Sequence, residues 1–279
     1  MSRAGTRRVG AGHDGTTPAQ RESAQLASLL ARGTAAGTRH TYGDRPDQHL
    51  ELYGDPATAE QGIILVHGGY FRQRVDLTHA RPLAAELAGG DASGRGGAVV
   101  ALLEYRRAGG DGGHPRTLED VSTAVAHCVR LWQELGMRPE GAAAPLIAGH
   151  SAGGCLALAW ATHHGADLPQ ARVRALAPIT DLIREARGGL AEGAVLDYMG
   201  ALPDEAPEAY RWEDPRSRAA LLPDGFDARI IHGTDDATVD IGFSRDMPLP
   251  RTELDGACHF DVIDPASPYF AGVRDWLAG

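Results

Sequence analysis

The chain has 279 residues, of which 43% are apolar, enough for one large α/β core and too apolar for a disordered protein. Its formal charge of −10 argues against nucleic acid or an anionic membrane as partners, and no apolar run approaches the roughly 20 residues of a membrane span. All 27 basic residues are arginine; without lysine there is no Schiff-base or Walker lysine, and without asparagine there is no Cys-His-Asn triad. Cys128, Cys155 and Cys258 lack metal-ligand spacing and cannot all pair with one another, so neither a metal site nor a disulfide framework is expected.

Met1 to about Pro18 is polar and expected to be mobile. Arg3, Arg7 and Arg8 are followed by no apolar stretch, so no secretory signal is read there and a cytoplasmic location is expected. Ala19 to Arg32 has the spacing of an amphipathic helix, with Ala24, Leu26, Leu29 and Leu30 on one side, packing on the main domain or walling an entrance. Residues 1–39 are therefore set apart from a main domain at 40–279. His49 to Tyr53 alternates as an outer strand. Gly62 to Val66 is a continuous apolar run, a strand buried on both faces. It ends in His67-Gly68-Gly69-Tyr70-Phe71, and Asp76 to Ala88 reads as the following helix.

After a Gly89–Gly97 link come a strand, Ala98 to Leu103, and a helix from Pro115 to about Leu135. The run Leu146 to Ala148 leads into Gly149-His150-Ser151-Ala152-Gly153 and a helix to His164. Val173 to Ala177 is the next strand. Residues 182–218 carry short helical pieces, several prolines and no strand, and are expected to form a small helical lid over a site. Ala228 to Ile231 ends in His232-Gly233-Thr234-Asp235-Asp236; Thr252 to Leu254 precedes Gly256-Ala257-Cys258-His259-Phe260; and Tyr269 to Leu277 closes the chain as a helix. Strands alternating with helices predict a mostly parallel, doubly wound sheet.

Ligands of such sheets bind beyond the carboxyl ends of the strands. Gly-x-Ser-x-Gly between strand and helix suits a turn too tight for flanking side chains, which pushes out the Ser151 hydroxyl at a helix N-terminus. A serine hydroxyl is a weak nucleophile until a base takes its proton, and His259 is the expected base. The acid is Asp235 or Asp236; a resemblance to His-Gly-x-x-Asp patterns favours Asp236, four residues after His232, with Asp235 holding the turn. Asp181 reads as a helix N-cap or a support for the lid base. Backbone N–H groups of Gly68, Gly69 and Ala152 would form the oxyanion hole, with Tyr70 a further candidate. Tyr70, Phe71 and Phe260 are candidates for an aromatic substrate wall, His67 for a brace of its loop, and Glu104 and Arg106 for ties between loops.

The order Ser151, Asp236, His259 with the Gly68-Gly69 loop resembles the α/β-hydrolase superfamily, from about His40 to the C-terminus. His67-Gly68-Gly69-Tyr70-Phe71 is similar to the His-Gly-Gly-x-Trp loop of kynurenine formamidases (arylformamidases), with Phe71 in place of tryptophan. Gly149-His150-Ser151-Ala152-Gly153 is also closer to that group. Gly154 completes a Ser-Ala-Gly-Gly run typical of the hormone-sensitive-lipase-like carboxylesterases. The resemblance implies an α/β-hydrolase fold and hydrolysis of a small-acyl amide or ester through an acyl-enzyme, with neither cofactor nor metal. An N-formylkynurenine-type arylformamidase is the specific expectation and a short-acyl carboxylesterase the alternative. A pathway-specific acyltransferase or cyclase, or a catalytically silent small-molecule binding protein, would carry the same motifs. The expected partner is a small-molecule substrate, an aromatic one being a candidate, with a homodimer left open.

Overall fold

Apolar runs and amphipathic stretches alternate along the chain, and in the computed structural model, which describes residues 15–89, 97–138 and 144–279, they form one eight-stranded sheet. Its strands are β1 (Thr38–Thr41), β2 (His49–Tyr53), β3 (Gly62–Val66), β4 (Val99–Leu103), β5 (Leu146–His150), β6 (Arg172–Leu176), β7 (Ala228–Gly233) and β8 (Arg251–Leu254). The spatial order is β1-β2-β4-β3-β5-β6-β7-β8. β3 to β8 run parallel, while β1 and β2 join antiparallel at one edge. The exposed, polar β1 carries no strand signal in the sequence, and it runs across the expected division between residues 39 and 40. The stretch from Met1 to Asp14 and most of the Gly89–Gly97 link lie outside the described residues.

Side chains that alternate along β3 supply two cores. Ile64 and Val66 face α3 (Arg116–Glu134) and α4 (Ala152–His164), with Val121, Trp132, Cys155 and Leu156. Ile63 and Leu65 face the other layer, where Leu29 of α1 (Pro18–Arg32), Leu83 of α2 (Arg81–Ala88) and Val273 of α10 (Phe270–Ala278) pack. Burial on both faces is why the central strands read as unbroken apolar runs.

α1 begins at Thr17, whose hydroxyl accepts from the Gln20 N–H while the Gln20 side chain accepts from the Thr17 N–H. Between β6 and β7 lie α5 (Leu182–Gly188), α6 (Ala194–Met199), α7 (Pro207–Glu213) and α8 (Pro215–Arg218), without a strand. Asp181 caps α5 by accepting from the Arg184 N–H at 2.8 Å. A further short helix, α9 (Gly242–Asp246), has no signal in the sequence.

The chain leaves β3 to one side, to β4, and returns on the other side as β5. The loops after β3 and β5 are therefore neighbours at the point where the strand order reverses, the usual ligand position in open α/β sheets. Among the described residues no helix is long and apolar enough to cross a membrane, and no group of three or more His, Cys, Asp or Glu could hold a metal ion.

Candidate active site

Ser151 joins β5 to α4 at φ 55° and ψ −118°, a region that costs a non-glycine residue about 1–3 kcal/mol. Its N–H donates to Leu176 O at 2.9 Å, which pins the turn to β6. The two flanking glycines are required sterically. A Cβ on Gly149 would lie 2.2 Å from Gly153 O, and one on Gly153 only 2.1 Å from Val66 O. Gly68 faces the turn from the β3 loop, where an added Cβ would come within 3.0 Å of Ser151 Cβ.

Beyond β7 and β8, Asp236 and His259 meet. His259 Nδ1–H donates to Asp236 Oδ2 at 2.7 Å, and His232 Nε2–H donates to the same oxygen at 3.0 Å. Asp236 Oδ1 accepts from the N–H groups of Thr238 (2.9 Å) and Val239 (2.7 Å). Burial by itself would raise this carboxyl's pKa. Attraction to the His259 imidazole and the hydrogen bonds from His232 and His259 outweigh it and hold the group well below the usual carboxylate range. Asp235 instead pairs with Arg21 at 2.9 Å, and its N–H donates to Ala257 O. With Nδ1 carrying the proton, His259 Nε2 has a free lone pair.

His150 braces His259: its Nε2–H donates to His259 O at 3.1 Å, and the ring centroids are 4.5 Å apart. Burial, then the neighbouring His259, pushes its pKa well below the ordinary value, so His150 is neutral; among the described residues its Nδ1 has no hydrogen-bond partner. Among the described residues nothing hydrogen-bonds Ser151 Oγ; catalytic hydrogen bonds commonly tighten only with substrate in place.

The β3 loop holds an unusual backbone. Gly69, Tyr70 and Phe71 all have positive φ, at 125°, 54° and 60°. His67 is its brace. Burial and the Arg107 guanidinium push its pKa down to about 3, so the ring is neutral, with Nδ1–H donating to Gly68 O at 2.6 Å. Because the peptide is planar and trans, holding the Gly68 carbonyl turns the Gly69 N–H the opposite way. Among the described residues, the N–H groups of Gly69, Tyr70 and Ala152 enter no hydrogen bond within the chain. Arg107 donates to Glu104 and lies 3.4 Å from His67 Nε2, which accepts, and Arg106 pairs with Asp120 of α3 at 2.6 Å.

A cavity of about 470 Å³ opens above these groups. Gly69, Tyr70, Ser151, His259 and Phe260 line it together with His79, His150, Val75, Ala237 and Thr238. Two expectations need correction. Phe71 is not a wall of this cavity: it is fully buried and stacks on Tyr198 of α6 at 4.1 Å, because its left-handed backbone turns the ring into the core. The 182–218 segment does not roof it either. None of its residues lines the cavity; the segment is fastened to the β3 loop, where Arg72 donates to Ala191 O and Glu192 O, and to α4, where Arg218 donates to Thr162 Oγ1. The wall comes from α1 instead, through Ala19, Glu22, Ser23 and Leu26. Glu22, His150 as a brace and His232 as a second partner of the acid do not follow from the sequence reasoning. Only His232 has a signal there, four residues before Asp236 at the end of β7.

A mostly parallel sheet with a serine elbow after β5 and an acid–histidine pair after β7 and β8 defines an α/β-hydrolase fold. The chain belongs to the Alpha/beta hydrolase family, which it matches over residues 63–277. Among solved structures it is similar to esterase 2 of the planctomycete Thermogutta terrifontis with propionate bound: 20% identity, 88% of this chain and 93% of that one covered, TM-score 0.63. A truncated carbohydrate esterase from gut microbiota aligns at 18% identity over 88% and 95% of the two chains, with a TM-score of 0.70. The acetyl ester–xyloside bifunctional hydrolase of Caldicellulosiruptor lactoaceticus aligns at 18% identity over 87% and 96%, with a TM-score of 0.65. No curated protein matches it in sequence.

Proposed function

We propose that the protein hydrolyses small-acyl esters through an acyl-enzyme on Ser151. The observation that carries this reading is a strained serine sharing one cavity with a histidine whose Nδ1–H is held by a buried carboxylate. Ser151 Oγ attacks the acyl carbonyl carbon and gives its proton to His259 Nε2. Asp236 keeps His259 in the required tautomer and stabilises the imidazolium. The N–H groups of Ala152 and Gly69, aided by the Gly68–Gly69 turn, receive the developing oxyanion; one such donor is typically worth about 3–4 kcal/mol. His259 then protonates the leaving oxygen, and water attacks the acyl-enzyme by the reverse route. The relatives support short acyl groups: the Thermogutta esterase is described with propionate and with butyrate bound, and phosphonylated by sarin.

A second reading is an arylformamidase acting on a formylated aromatic amine. It is favoured by the His67–Phe71 and Gly149–Gly153 motifs and by Tyr70 and Phe260 at the cavity wall. Both readings predict that Ser151→Ala lowers kcat by more than about 10³-fold. Turnover of p-nitrophenyl acetate and butyrate beside N-formylkynurenine separates them. Fast ester cleavage with poor deformylation supports the esterase. The opposite result moves the protein to the formamidases, and full activity in Ser151→Ala overturns both.

A further inference from the structure

One buried carboxylate beside the proposed triad belongs neither to the triad nor to the oxyanion loop. Glu22 sits in α1, 215 positions before Ala237, and is only 4% exposed. Its Oε1 accepts from the Ala237 N–H at 2.7 Å and from the His259 N–H at 3.1 Å. Its Oε2 accepts from the Thr238 hydroxyl at 2.7 Å. One side chain thus grips the residues that follow the acid and the backbone of the base.

The rest of α1 holds the same two loops. Arg21 pairs with Asp235 at 2.9 Å and donates to Gly256 O at 3.3 Å, Gln25 donates to Asp261 at 2.7 Å, and Arg32 pairs with Asp264 at 2.6 Å. The loops also bond each other, through Asp235 N–H to Ala257 O and Gly256 N–H to Thr234 Oγ1. Glu22 adds its bonds on the catalytic side, where the 2.7 Å contact between Asp236 and His259 depends on how the loops face one another.

We infer that Glu22 is a positioning residue that holds the Asp236 and His259 loops in register, making α1 part of the active site rather than an appended tail. This rests on the reading of Ser151, His259 and Asp236 as a triad. Removing the carboxylate leaves three donors unpaired, and buried donors without partners force a rearrangement. A shift of about 1 Å in catalytic geometry costs about 10²-fold in rate.

The test measures kcat and KM for p-nitrophenyl acetate and the rate of Ser151 labelling by a fluorophosphonate, in the full chain. Glu22→Ala should lower kcat by about 10²-fold, lower the labelling rate in parallel, and change KM much less. Glu22→Gln should restore most of kcat. Its amide oxygen can accept from Ala237 and His259, and its –NH2 can donate to Thr238 Oγ1 once that hydroxyl turns round. Thr238→Val removes one of the three bonds and should lower kcat about fivefold; it decides the matter if Glu22→Ala does not fold. Wild-type kcat in a folded Glu22→Ala, or in Thr238→Val, overturns the inference. So does a Glu22→Gln as slow as Glu22→Ala, which would make the charge decisive. A wild-type protein that neither labels nor turns over any ester overturns the serine-hydrolase reading itself, whereas equal labelling of wild type and Glu22→Ala overturns only the role of Glu22.

Discussion

Replacing Asp236 by asparagine tests the acid–base pair at one atom. Asparagine keeps the shape and one acceptor oxygen, which stays opposite the N–H groups of Thr238 and Val239 at 2.9 and 2.7 Å. The new –NH2 then meets His259 Nδ1 and His232 Nε2, both of which donate to the carboxylate in the native protein. Each ring must become an acceptor there, so His259 carries its proton on Nε2 and can no longer take one from Ser151. The expected loss is about 10⁴-fold in kcat, about 5 kcal/mol of transition-state stabilisation. The two charge-assisted hydrogen bonds also become neutral ones of about half the strength, a loss of about 2–3 kcal/mol of stability and a fall in Tm of about 5–10 °C. The carboxyl's pKa is depressed in the folded state, so its stabilising contribution is present above the unfolded value of 3.8 and is lost as pH falls through the lower folded value. The stability gap between wild type and Asp236→Asn is therefore full at neutral pH and closes in acid. Asp235→Asn serves as the control: its partner is the half-exposed Arg21, and kcat should stay within about threefold of wild type. Steady-state turnover of p-nitrophenyl acetate and thermal melts decide it. If Asp236→Asn keeps kcat within tenfold, or if Asp235→Asn is the inactive variant, the tautomer argument is refuted.

Two further substitutions probe the scaffold. Glu185 of α5 is 4% exposed, and burial raises its pKa from 4.5 to about 7. The folded state holds this proton more tightly than the unfolded one, so ionisation costs stability as pH rises from 4.5 to 7 and the cost is constant above. Glu185→Gln should accordingly stabilise the protein by about 3 kcal/mol at pH 8 and by nothing at pH 4, and melts with a pH-independent difference would contradict this. Gly153→Ala would bring a methyl group to 2.1 Å from Val66 O and 2.5 Å from His67 O, both backbone atoms under the oxyanion loop. A loss of about 3 kcal/mol or more, with kcat down about 10²-fold, is expected in melts and turnover; a stable, active Gly153→Ala would mean the elbow is looser than described.

Residues whose burial follows from their own pattern are legible in the chain itself. Gly62–Val66 is apolar at every position because both of its faces are covered, and Ala152–His164 is apolar all round because α4 is buried along nearly its whole length. Gly149 and Gly153 are readable because the need for them is steric and local. Phe71 is the opposite case. An aromatic residue after a Gly-Gly turn looks the same whether it faces substrate or core, and only its left-handed backbone and the stack on Tyr198 send it inward. The 182–218 segment has the composition of a lid, yet composition carries no direction, and the contacts of Arg72 and Arg218 fasten it to the β3 loop and to α4 with none of its residues in the cavity lining.

By itself the sequence determined the alternation of strands and helices, the mostly parallel sheet and the glycines of the serine turn, since these depend on period-2 and period-3.6 burial and on local backbone sterics. Only the tertiary structure decided that α1 walls the cavity and that Glu22 reaches the backbone of His259. Those contacts join positions more than 200 residues apart, and on the helix itself Glu22 is one polar residue among several, distinguished only by where the fold puts it.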